Sequence, residues 1–282
     1  MTAGVANADQ QAKPAGIGAF IRTHPLVAYF VLAYATSWGL LLVLGGLMGA
    51  PAAIVILVQT LGPTVAARIV LTTTGGKPAY LEMRRRSRIW RVPLRYYAVA
   101  LVGVPAACLA ATAVLPGGVD ALRAAAAVTM TSTFLFYLVF GFFSGPLFEE
   151  PGWRGFALPR LEHDRGPLAG TVILGILWGA WHLPQFLMPE WAAQNGGSDA
   201  ITIVLFLVLV MTLAPLLTWV YNRTGGSLWL AMVTHASINA SLSIVPALPS
   251  GPMGVGVVAF GAISIALIVA TRGRLGYCST TT

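Results

Sequence analysis

What most constrains this chain is a repeated apolar run. Eight stretches of about twenty residues carry almost no charge, and each is long enough to cross a bilayer as a helix. They read as 26–48, 52–72, 96–115, 129–148, 168–187, 200–221, 228–247 and 254–271. Hydrocarbon offers no partner to backbone N–H and C=O groups, so segments of this kind must satisfy themselves as helices. Only 9% of the 282 residues are charged, against about a quarter in a soluble domain. The expected fold class is therefore all-α. It is a polytopic membrane bundle of about eight transmembrane helices over 26–271, with tails at 1–25 and 272–282.

The charges that remain are unevenly placed. Taking the first tail as cytoplasmic, 15 of the 17 Lys and Arg residues fall in loops on that same side. The largest group is Lys77, Arg84, Arg85, Arg86, Arg88, Arg91 and Arg95. Arg123 alone falls opposite, and Arg68 lies within a span. Such a bias over short loops predicts a multi-pass cell-membrane protein with both termini cytoplasmic. The net charge of +8 then reflects orientation, and no nucleic-acid partner is expected. The 77–95 segment reads as a topology-setting loop, or as an amphipathic stretch lying on anionic lipid. Neither cysteine, Cys108 or Cys278, has a metal-binding or disulfide spacing.

Ionisable groups inside a bundle are informative because burying them costs several kcal/mol. They gather in three places: Glu149-Glu150-Pro151-Gly152-Trp153-Arg154, Trp178 to Pro184 around His182, and His235 to Asn239. On a helix Glu150 and Arg154 share a face, while Glu149 is rotated by about 100°. One carboxylate can be neutralised while its neighbour stays free. Pro151 suits a first helical turn, so a helix is expected to restart near Glu149. Trp178 and His182, like His235 and Asn239, also lie one turn apart. Pro184 predicts a helix break just after His182.

A carboxylate, two histidines and an amide are a sufficient set for hydrolysis without a nucleophilic serine or cysteine. The carboxylate can activate water as a general base, and N–H groups can receive a developing oxyanion. The same Glu149, His182 and His235 could instead hold a divalent metal such as zinc. Each cluster also has a purely structural reading, as a helix-bridging hydrogen bond or a solvated helix cap.

The three clusters together, in this order, resemble the CPBP family of intramembrane proteases (CAAX prenyl protease 2, or Abi). Its pattern is E-E-x-x-x-R, then F-x-x-x-H, then H-x-x-x-[ND]. Glu149 to Arg154 match the first and His235 to Asn239 the third. The second departs, with Trp178 in place of Phe before His182, an aromatic exchange expected to matter little. The match covers about 130–245. The resemblance implies an intramembrane endopeptidase in which Glu149 and His182 activate water and His235 and Asn239 hold the oxyanion. Glu150 and Arg154 would hold the motif together. It leaves open a metalloprotease or a metal-independent glutamate protease, and its pattern rather than the spacing favours Glu149 over Glu150 as base.

The implied partners are the lipid bilayer and a peptide or protein substrate, which can itself be membrane-anchored. The site is expected near the cytoplasmic side, in a water-filled cavity open to it. Two alternatives use the same residues. One is a non-catalytic membrane partner or bacteriocin-immunity protein, and the other a proton-coupled transporter with Glu149, His182 and His235 as relay.

Overall fold

A computed structural model describes residues 16–278. Among the described residues, seven helices are long and apolar enough to span a membrane: Pro25–Leu47, Ala52–Arg86, Leu94–Val114, Ala127–Ser144, Pro167–Leu187, Ala200–Arg223 and Gly251–Thr271. They coincide with seven of the eight expected spans. The remaining one, Leu228–Ser243, has only 16 residues, about 24 Å of helix. Pro246 and Pro249 follow it and cannot continue the helix. Eleven of its sixteen residues are buried, so protein rather than lipid surrounds it and its length need not match the bilayer. By contrast Ala127–Ser144 buries only Gly141 and turns Phe136, Val139, Phe140 and Phe143 outward. An apolar exposed face of this kind is what a lipid-facing helix requires, and the chain is a multi-pass membrane protein.

Labels are kept for the elements that build the site. Helix α1 is Pro146–Gly152, α2 is Leu158–Arg165, α3 is Pro167–Trp181, α4 is Ala200–Arg223 and α5 is Leu228–Ser243. The helix restart falls at Pro146, three residues before Glu149, because Gly145 (φ −163, ψ −68) breaks the preceding helix and Pro146 takes an N-terminal position. Pro151 is thus interior rather than in a first turn. Its missing N–H is followed by a wide turn over Trp153–Ala157, which α2 then continues. Two close approaches set these helices. A Cβ on Gly152 would lie 2.5 Å from Pro63 Cβ and 2.6 Å from its carbonyl, so α1 packs directly on the Ala52–Arg86 helix. Gly62 of that helix is equally tight against Ala33 and Ser37 of the first span. Small residues allow such backbone contact where lipid gives no hydrophobic drive.

The basic loops meet at one end of the bundle. Ser227 Oγ donates to Ile89 O, Arg223 Nε lies 3.4 Å from the Tyr96 hydroxyl, and Arg86 Nη1 donates to Tyr221 Oη at 2.8 Å. Gly76, with φ +67, turns the chain back so that Arg68 stacks on Tyr80 at 5.3 Å. Within the segment read as the first tail, Ile17–Thr23 is helical and buries Ile21. The Asn222 amide at this end donates to Glu162 at 2.7 Å and to the Leu275 carbonyl at 3.1 Å, tying α2, α4 and the C-terminal segment together.

Burial pushes the Glu162 carboxyl up from an ordinary 4.5 to about 7, against the opposing hydrogen bond from Asn222. A raised carboxyl pKa means that the folded state holds its proton longer, so stability falls as pH rises from about 4.5 to about 7. The expected loss is on the order of 3 kcal/mol. Thermal unfolding in detergent across that range should show it, and Glu162→Gln should flatten the slope; an unchanged slope would count against this origin.

Candidate active site

Helix α1 carries Glu149 and Glu150 into the protein interior. Glu150 and Arg154 are fully buried, while Glu149 retains 5% exposure. Arg154 Nη1 donates to Glu150 Oε1 at 3.0 Å, the one-turn ion pair the spacing predicts. The same oxygen lies 2.8 Å from His235 Nδ1, so α5 is bound to α1 through a carboxylate. A carboxylate only accepts, so Nδ1 carries the proton and Nε2 is left for the cavity that His235 lines.

Glu149 faces another way. Its Oε2 accepts from the indole N–H of Trp178 at 2.9 Å. Trp178 also lies under the Arg154 guanidinium at 4.4 Å and edge-on to His235 at 5.2 Å. Its carbonyl takes the Nδ1 proton of His182 at 2.8 Å. That bond fixes the His182 tautomer, since a carbonyl cannot donate, and leaves Nε2 as a lone pair. Helix α3 ends at Trp181 and a 3₁₀ turn runs from Leu183, the break that Pro184 predicts.

Helix α1 brings Glu149 to the level of Trp178. Helix α3 begins at Pro167, as the span pattern requires, and α1 reaches inward to meet Trp178. Thr64 Oγ1 donates to Phe148 O, and Tyr34 Oη to Leu177 O, so the first two spans brace the site from behind. These contacts have no local sequence signal. Trp153 packs edge-on to Trp181 at 5.9 Å beside them.

A cavity of about 900 Å³ lies over these groups, lined by Trp178, His182, His235 and Asn239. Asn239 follows His235 by one turn, as the spacing predicts. Glu149, Glu150 and Arg154 stand behind this wall rather than in it. The cavity does not run to the basic loops, where an opening was expected. It runs the other way, to Gln194, Asn195 and Gly196 and to the segment Leu248–Met253. Among the described residues no three His, Cys, Asp or Glu side chains gather as a metal-holding group. Each histidine keeps Nε2 free, but Glu149 is tied to Trp178 behind the wall, so Glu149, His182 and His235 do not converge as a metal site in this arrangement.

Residues 131–241, which contain Glu149, Glu150, Arg154, Trp178, His182, His235 and Asn239, match the family model described as type II CAAX prenyl endopeptidase Rce1-like. A protein named CAAX prenyl protease 2 from Methanococcus maripaludis is 26% identical over 99 residues. Over residues 131–241, about two fifths of its length, this chain is similar to the CPBP family. The aligned stretch covers 35% of the chain and 36% of that relative, so the chain matches about a third of the relative's length.

Against the CPBP pattern, Trp178 is more than an aromatic exchange. Its N–H bond to Glu149 is one that a phenylalanine could not make. Trp178→Phe should leave a Glu149 oxygen without its donor and cost about 1–3 kcal/mol. Arg154→Met should cost more, about 3–5 kcal/mol, because it strands the buried Glu150 charge. Thermal unfolding of purified protein would rank the two, and an Arg154 variant as stable as wild type would refute the central role of the pair.

Proposed function

We propose that this protein is an intramembrane endopeptidase whose site is Glu149, His182, His235 and Asn239. The observation that carries the reading is the meeting, on one cavity wall, of two histidines whose Nδ1 atoms are both committed elsewhere. Each is left with Nε2 for chemistry. Glu149 is the better base of the two glutamates because it keeps some exposure, while Glu150 has none and already serves Arg154 and His235.

In the proposed reaction a water hydrogen-bonds to the His182 Nε2 lone pair and gives its proton to Glu149. Its oxygen forms the new bond to the scissile carbonyl carbon. The Asn239 amide donates to the resulting oxyanion, with His235 beside it. The proton held by Glu149 passes to the leaving nitrogen as the C–N bond breaks, and the glutamate returns to its starting charge. Glu150 and Arg154 orient His235, and Trp178 positions both Glu149 and the His182 ring. This chemistry needs no metal. The bilayer, and a peptide or protein with an accessible backbone carbonyl, are the partners it requires. A substrate with its own lipid anchor fits the setting, as the name CAAX prenyl protease 2 implies for the archaeal relative.

Cleavage of a fluorogenic peptide library by detergent-purified protein tests the reading. Glu149→Gln should lower kcat by about 10²–10⁴-fold, the range of a lost general base. Asn239→Ala should lower it by about 10²–10³-fold, the range of a lost oxyanion donor. Chelator should leave the rate unchanged, and a chelator-sensitive rate restored by zinc would replace this mechanism with a metal one. Folded wild-type protein that cleaves nothing, with Glu149→Gln indistinguishable from it in the cell, would favour a non-catalytic role.

A further inference from the structure

The basic loops and the cavity mouth stand at opposite ends of the molecule. The segments 87–93, 224–227 and 272–278 meet at one end, joined by Ser227 to Ile89 and Asn222 to Leu275. The cavity emerges at the other, where the ideal Cβ of Gly196 would touch Met253 at 3.5 Å and the loop before α4 meets the segment after α5. Gln194 and Ser250 are exposed there. Positive charge in short loops marks the cytoplasmic side of a membrane protein. Those two facts place the mouth on the face away from the cytoplasm.

The wall has a second property. None of its residues is Asp, Glu, Lys or Arg; beyond the two histidines it is built of groups such as Leu205, Phe206, Leu209 and Met253, with amides and hydroxyls at the mouth. A charged side chain seated among these apolar groups would lose its water and meet no charged partner on the wall, which costs several kcal/mol. The volume of about 900 Å³ is at the upper end of ligand pockets, room for a short stretch of polypeptide.

We propose that substrate enters the His182–His235 cavity from the non-cytoplasmic face, between the 188–199 and 244–253 segments, as an uncharged, mainly apolar stretch of polypeptide. This rests on the reading of the cavity as a peptide site. It would restrict the protein to segments exposed on, or emerging from, the outer side of the membrane.

The test reads access rather than cleavage, so it stands apart from the protease assignment. Full-length protein in intact cells is treated with a membrane-impermeant maleimide. Gln194→Cys and Ser250→Cys, each made with Cys278→Ser, should label in intact cells. The native Cys278, exposed beyond the last helix, should label only after permeabilisation, and buried Cys108 should stay silent. The reverse pattern would overturn the proposal. With purified protein, an uncharged apolar peptide should slow labelling of Gln194→Cys at least threefold, and the same peptide carrying a central Asp or Lys should not. Equal protection by both would overturn the charge rule, and outer labelling without protection by either would reject the cavity as a peptide site while leaving the orientation standing.

Discussion

Everything around the cavity depends on one buried contact, the Glu150 oxygen shared by Arg154 and His235. Two charges and an imidazole in so dry a place are costly to bury and costly to separate. Their geometry is therefore enforced from both sides. Arg154 is one turn from Glu150 on the same helical stretch, so this half is set by local structure alone. His235 comes from α5, 85 residues along the chain, and its bond fixes the angle at which that helix passes α1. Trp178 completes the arrangement by covering the guanidinium with its ring and passing its N–H to Glu149.

Such contacts need helices closer than ordinary side chains allow. Gly152 supplies the approach of α1 to the Ala52–Arg86 helix, and Gly62 the approach of that helix to the first span. Both sit where a single methyl group would meet backbone. The polar site is thus held by apolar close packing behind it. Tyr29, Trp153 and Phe156 fill the space on that side, with Tyr29 and Phe156 centroids 4.7 Å apart.

The spans and the one-turn pairs were legible in the sequence because both depend on local periodicity. Twenty apolar residues have one solution in lipid, and residues four apart share a face in any helix. The Glu150–Arg154 pair and the break after His182 follow from those rules. The short length of α5 follows from Pro246 and Pro249, and its sequence, with His235, Asn239 and several Ser and Thr residues, is less apolar than its neighbours'. Three things could not be read. The partner of His235 depends on a tertiary meeting of α1 and α5. The donor role of Trp178 depends on which way its indole turns, and aromaticity alone does not encode that. The direction of the cavity depends on which loops close over the helix ends, where Gly and Pro residues give no periodic signal.

The two histidines show how one side chain type takes two roles in one site. His182 gives its Nδ1 proton to a neutral carbonyl on its own helix, an acceptor that cannot change charge. His235 gives its own to a carboxylate already shared with a guanidinium. As a neutral ring, each would present Nε2 as an acceptor. Of the two, only His235 has a carboxylate within 3 Å, the Glu150 oxygen at 2.8 Å. The difference is set by what stands behind each ring, and in both cases Trp178 connects it to Glu149.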